Sequence, residues 1–271
     1  GRIMNIFLYI ILFIIGSLFG SFYTLAVYRI PKKQDIIHTH SYCPNCNHKL
    51  GLLDLFPIIS YILLGGKCRY CKERIRPRYF IIEILSGILF ITFAYLIGIR
   101  FETLSVIKIV DFSFIALYLT FIILIAGIDK ENRRIQKGVS IYGIIISIMY
   151  MIYLCIIEPS SIYRYAIYLG IYIIILVLDT ITLKKFAISS YTIGVLLLLV
   201  TMTIFTNEYI VITSIIFTLL AIAIYILEYK LKEIGKRKKN DEMQIAKKVS
   251  IGFYLSVSNI IVLIIALLLN I

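Results

Sequence analysis

The chain has 271 residues, 61% of them hydrophobic, with a mean hydropathy of +0.95 and a formal net charge of +13. Soluble domains average about 45–50% apolar residues, so this composition excludes an ordinary soluble domain and places the chain among proteins that cross a membrane several times. The positive charge points to nucleic acid, to anionic lipid or to membrane topology, and its distribution along the chain decides between them.

A membrane-spanning helix needs about 20 mostly apolar residues. The first such run, Met4–Val27, lacks a small-residue cleavage site and is read as a retained span. Seven more follow: Tyr79–Gly98, Leu104–Ile128, Val139–Ile157, Tyr165–Leu183, Ala187–Phe205, Tyr209–Leu227 and Val249–Leu269. Runs this long without alternation are helices, not barrel strands, because lipid offers the backbone no partners. The expected fold is an all-α polytopic integral membrane protein of about eight transmembrane helices. Its organisation is a first span at 4–27, a loop at 28–78 and a helical membrane domain at 79–269, with a basic loop at 229–248.

Lysine and arginine sort by side. The loops following the odd-numbered spans hold 24 of the 28, and the opposite side holds Arg2, Arg100, Lys108 and Arg164. By the positive-inside rule this puts the loops at 28–78, 129–138 and 229–248 in the cytoplasm and both termini outside. Most of the charge is therefore a topology signal, with lipid attraction added at Lys236–Lys239 and no reason to invoke nucleic acid.

The loop at 28–78 carries Cys43-x2-Cys46 and, after 21 residues, Cys68-x2-Cys71. Two such pairs at this distance match a four-thiolate zinc site, and a reducing cytoplasm disfavours the disulfide alternative. Four protein ligands leave no open position, so the metal is expected to fold the loop and not to react. His38, His40 and His48 are read as loop histidines, Cys155 as a small apolar residue, and Asp54 as a turn or helix cap.

The stretch Gly16–Pro31 (GSLFGSFYTLAVYRIP), followed by Cys43–Phe90 with its Asp-Leu-x-Pro-x-x-Ser-Tyr and Arg-Tyr-x-x-x-Glu-x-x-x-Gly patterns, resembles the prepilin peptidases, or type IV leader peptidases. The strong match covers about the first third of the chain. Ile251–Ile260 loosely resembles the last span of that family. The resemblance implies an intramembrane aspartic peptidase of the bacterial cytoplasmic membrane. Such enzymes cut the basic leader from prepilins or pseudopilins at the cytoplasmic face. Many also methylate the new N-terminus with S-adenosylmethionine. Family members use two aspartates at the cytoplasmic ends of helices, one of them in a Gly-x-Gly-Asp motif.

Acids in or beside a span are functional candidates by default, because lipid makes them costly. Asp129, in Gly127-Ile128-Asp129, matches the first catalytic aspartate of the family, although the Ile-Pro-Asp that often follows is replaced by Ile135-Gln136-Lys137. The second is harder to place. The chain contains no Gly-Asp dipeptide, and the stretch Ile188–Gly194, where span order expects the motif, contains no acid. Asp179 lies five residues before Lys184, roughly 7–8 Å into the membrane, and is the candidate displaced partner. Two carboxylates are needed so that one takes a proton from water while the other, protonated, polarises the scissile carbonyl.

Glu83 matches a family glutamate and is a candidate contact for the leader's charge, or a partner of Arg76 or Arg78. Asp111 is read as the i+3 partner of Lys108. Two expectations stand: a leader peptidase using Asp129 and Asp179, or a catalytically impaired relative that binds pilins or secretion components without cutting. A transporter is disfavoured by the lack of an internal repeat.

Overall fold

The computed structural model describes residues 1–36, 38–185, 190–233 and 249–269. Most of the basic loop at 229–248, including Lys236–Lys239, lies outside the described residues, as do residues 186–189, which include the first two positions of the stretch expected to hold the second motif. The described residues are overwhelmingly helical, with two isolated β-bridges and no strand. In chain order the helices are α1 (Arg2–Arg29), α2 (Leu52–Leu55), α3 (Ile59–Leu63), α4 (Pro77–Leu96), α5 (Val106–Asn132), α6 (Lys137–Ile157), α7 (Ile162–Lys185), α8 (Ser190–Phe205), α9 (Glu208–Glu233) and α10 (Ile251–Leu269).

Seven of these, α1, α4, α5, α6, α7, α9 and α10, are long and apolar enough to cross a membrane. The sixth expected span appears as α8, a shorter apolar helix over Ser190–Phe205. The side-chain pattern is that of a protein in lipid. On α6 the outward residues are Ile141, Ile145, Ile152 and Ile156, while Ser140, Gly143 and Ser147 face inward. With hydrocarbon outside, burying an isoleucine gains little over leaving it in lipid, so small and hydroxyl-bearing residues take the close contacts between helices.

The chain divides into two compact units, Gly1–Ala116 and Leu117–Ile271. In the first, α1 packs along α4 through its glycines. A Cβ at Gly16 would lie 2.7 Å from the Ser86 carbonyl oxygen, and one at Gly20 would lie 2.8 Å from the Glu83 Cα. The Gly16-x-x-x-Gly20 spacing is thus the seam of a helix pair. At the end of α4, Gly98 adopts φ +75°, and the Ile99 amide returns to the Ala94 carbonyl at 2.9 Å. Such a left-handed helix stop suits a residue without a side chain.

In the second unit, buried hydroxyls tie helices together. Tyr172 on α7 donates to Ser147 on α6 at 3.0 Å and lies 2.8 Å from the Thr201 hydroxyl on α8. On α10, Asn259 accepts from Tyr118 at 2.7 Å and donates to Ser214 on α9 at 3.3 Å. Tyr118, Phe205 and Tyr150 stack in series, each centroid 4.6 Å from the next. The Asn259 contacts hold α10 against α5 and α9 and so help position its N-terminus, against which the Asp129 carboxylate lies.

Candidate metal centre and candidate active site

The two Cys-x-x-Cys turns fold alike. In the first, the Cys43 amide donates to the His48 carbonyl, the Asn47 amide returns to the Cys43 carbonyl, and Tyr42 bridges Lys49. In the second, Cys68 bonds Glu73, Lys72 returns to Cys68, and Lys67 bridges Arg74. Asn47 and Lys72 each take a positive φ, 55° and 60°, just after the second cysteine of the pair.

The turns converge. The sulfurs of Cys43, Cys46, Cys68 and Cys71 all lie within 4.8 Å of one another, and the Cys43 and Cys71 sulfurs are 3.8 Å apart. Tetrahedral zinc with bonds of about 2.3 Å sets its sulfurs about 3.8 Å apart, so the cluster fits the ion. No disulfide forms among the cysteines. The crowded thiols split: the Glu73 amide, the largest influence on Cys71, helps bring it down to about 6, while Cys46, against the lowering pull of its His48 backbone bond, is pushed up to about 11 by desolvation and by Cys71 and Cys43. The histidines stay outside the cluster: His48 stacks on Tyr70 at 3.5 Å, and His38 contacts Asp35 at 3.2 Å.

Asp54 joins the intervening helices to the second turn. It receives the Gly51 amide at 3.1 Å, capping α2, and bonds Arg69 and Tyr70, the two residues between Cys68 and Cys71. The Arg69 guanidinium holds the Asp54 carboxyl below the usual carboxylate range. A carboxyl lowered in the folded state stabilises that state above its unfolded value, and the contribution is lost as pH falls through the folded value. The protection of the Gly51 amide, its exchange measured against the intrinsic rate at each pH, is therefore expected to be high at neutral pH and to fall on acidification below about pH 4. Asp54→Asn should remove that dependence, as read by hydrogen-exchange mass spectrometry of the peptide covering α2.

Two further residues secure the loop. Arg29, buried at the end of α1, donates to the carbonyls of Asp35, Thr39 and His40 at 2.8–3.1 Å. Glu83 on α4 accepts the Ile58 amide at 2.8 Å, at a residue with φ 65°. Glu83 thus meets a loop backbone amide in this structure. Lys108 donates to the Gly98 carbonyl at 2.9 Å and to Thr103 at 3.3 Å.

In the second unit the buried acid is Asp129, near the end of α5 and 0% exposed. Arg133, at φ 51°, ends that helix and returns its amide to the Asp129 carbonyl at 2.8 Å. The Asp129 carboxylate lies against the first turn of α10. Its Oδ2 accepts the Tyr191 hydroxyl and the Phe253 amide, both at 3.0 Å. The Gly252 amide donates to the Tyr191 oxygen at 3.2 Å, and the Ser250 hydroxyl to the Asp129 carbonyl at 3.2 Å. A Cβ at Gly252 would stand 3.0 Å from Oδ2, so glycine makes room for the carboxylate. Oδ1 is buried with no hydrogen-bond partner among the described residues. A helix N-terminus offers unpaired amides and partial positive charge, which suits an acid in an apolar setting.

Asp179 is engaged elsewhere. On α7, it lies 3.4 Å from the ammonium of Lys137, the first residue of α6, and its side chain is 20% exposed. No hydrogen bond joins Asp129 to Asp179. Lys137 is the residue that replaces the acid of the Ile-Pro-Asp pattern, while Ile135 packs on Gly194 of α8, where a Cβ would lie 2.7 Å from its own. Sequence reading missed Tyr191 and the α10 amides. The available signal was a tyrosine in the same seven residues, Ile188–Gly194, searched for an acid.

Residues 14–97 match the bacterial peptidase A24 N-terminal domain. That stretch is about a third of the chain, and it is where the chain is similar to the prepilin leader peptidases. The chain is 44% identical over 87 residues to the prepilin leader peptidase/N-methyltransferase of Vibrio cholerae, covering 29% of this chain and 34% of that protein. The Bacillus subtilis protein of the same name is 32% identical over 132 residues, covering 49% and 50%. The one from Myxococcus xanthus is 27% identical over 139 residues, covering 51% and 39%. The matches thus span from about a third to half the length of these relatives. No solved structure matches the chain.

Proposed function

We propose that this protein is a prepilin leader peptidase of the bacterial cytoplasmic membrane. It binds the basic leader of a prepilin or pseudopilin at the cytoplasmic face and cuts it with Asp129 as the principal carboxylate and Asp179 as the second acid. The observation that carries the reading is Asp129 itself. An acid is wholly buried at the end of an apolar helix, with one oxygen held and the other without a partner among the described residues. Lipid tolerates such a group where it has a task. The family match supports the substrate class.

In this reading Asp179, once released from Lys137 and protonated from solvent, donates a hydrogen bond to the scissile carbonyl, while Oδ1 of Asp129 takes a proton from the attacking water and passes it to the leaving amine. The charge asymmetry of the loops supports a cytoplasmic position for the four-cysteine loop, with both termini outside. Zinc held by Cys43, Cys46, Cys68 and Cys71 has a structural part, and lipid is the second partner. N-methylation of the new N-terminus with S-adenosylmethionine is proposed on the relatives' names alone.

A second reading, a relative that binds pilins without cutting them, is favoured by the Lys137–Asp179 ion pair, which occupies the second acid. Reconstituting the protein in bilayers with a prepilin and weighing the product separates the two. The peptidase reading expects a pilin shorter by its leader, heavier by a methyl group only when S-adenosylmethionine is supplied. Prepilin retained but uncut across pH and lipid composition would favour the second.

A further inference from the structure

The contacts around Asp129 fix more than its position. An amide donates and never accepts, so the Gly252 N–H occupies a lone pair of the Tyr191 oxygen. The phenolic hydrogen is then directed at Oδ2 of Asp129, 3.0 Å away. The Phe253 amide, also only a donor, reaches the same oxygen at 3.0 Å. Oδ2 therefore receives two hydrogens, and a proton that Asp129 carries is placed on Oδ1, which has no hydrogen-bond partner among the described residues. The ammonium of Lys130 sits 4.1 Å from the Phe253 ring centre, a further contact between the end of α5 and the first turn of α10.

We infer that Tyr191 is a positioning residue: with the first turn of α10 it clamps Oδ2 of Asp129 and leaves Oδ1 as the oxygen that exchanges protons. The catalytic part of this inference rests on the peptidase reading; the clamp itself does not. Tyr191 stands in the stretch where an acid was expected, and its role differs from that of an acid. A phenol is neutral at physiological pH, so it donates to Asp129 without sharing a titrating proton. It orients the carboxylate and takes no proton in the reaction.

The test uses the full chain in lipid nanodiscs. The Asp129 carboxyl band in the infrared spectrum is assigned as the one lost in Asp129→Asn. Tyr191→Phe, which keeps the ring and its packing, is expected to shift that band. It should also lower kcat for prepilin cleavage on the order of tenfold, the worth of a hydrogen bond to a charged group, with KM within about twofold. Replacing Tyr191 with a fluorinated tyrosine, a more acidic donor, should shift the band in the opposite direction. Because it preserves shape, this second probe remains informative should Tyr191→Phe fold poorly.

A band unmoved by both substitutions overturns the clamp. A tenfold loss of kcat with the band unmoved overturns it equally, since the loss would then come from elsewhere. Should the wild-type protein cut no prepilin while the band shifts as expected, the peptidase reading fails and the clamp stands.

Discussion

Asp129→Asn is expected to lower prepilin cleavage about 10²–10⁴-fold, the usual worth of a positioned general base, while leaving the fold nearly intact. The geometry separates the two effects. The remaining amide oxygen of asparagine still accepts from Tyr191 and Phe253, and its NH2 falls at Oδ1, which has no partner among the described residues. The variant keeps the clamp and loses the base, so helical content and thermal unfolding should match wild type. Asp179→Asn divides the readings further. A loss comparable to that of Asp129→Asn supports the dyad, whereas wild-type cleavage by Asp179→Asn removes it from the mechanism. A Lys137→Gln protein, freed of the ion pair at 3.4 Å, should cut faster if Asp179 must leave Lys137 in order to act.

The second large effect concerns the cysteines. Cys43→Ser leaves three thiolates in a site built for four, and bound zinc per protein is expected to fall toward zero by elemental mass spectrometry. Apart from Asp54, the Glu83–Ile58 bond and the Tyr61–Phe80 stack, the segment between the turns packs little: Leu52, Leu53 and Leu63 are 79–88% exposed, and α2 and α3 are single turns. Small zinc folds draw about 10–16 kcal/mol from their metal, far more than such a segment gains by packing. Limited proteolysis should therefore cut Cys43→Ser between the two turns at protease levels that leave wild type whole. Cys155→Ser and His48→Ala, both outside the cluster, should retain the metal. Retention of full zinc by Cys43→Ser would contradict the four-ligand assignment.

The helices and the metal cluster were legible because each follows from a local rule. Twenty apolar residues in a row permit little but a span, and two Cys-x-x-Cys turns closing on one ion need only flexible chain between them. Asp129 was legible as an acid where acids are costly. Its surroundings were not. Tyr191, Gly252 and Phe253 lie more than 60 residues further along the chain, and no pattern near Asp129 points to them. Part of the binding is by backbone amides, which a sequence does not spell. The pairing of Asp179 with Lys137 was hidden similarly: a lysine near a span end reads as topology until the fold brings an acid beside it. Arg29, counted only among the basic residues of the loop at 28–78, is buried and gathers three carbonyls of that loop.

The Gly16–Gly20 seam bears on biosynthesis. The helices it joins are separated only by the loop carrying the cysteines, and all of these lie within Gly1–Ala116. Chains leave the ribosome N-terminus first and tend to fold unit by unit. The α1–α4 hairpin therefore has all its parts before Asp129, Tyr191 or α10 has been translated. A chain truncated after residue 116 and released into bilayers should already resist protease across that hairpin, whereas the acid's surroundings await the last helix to be made.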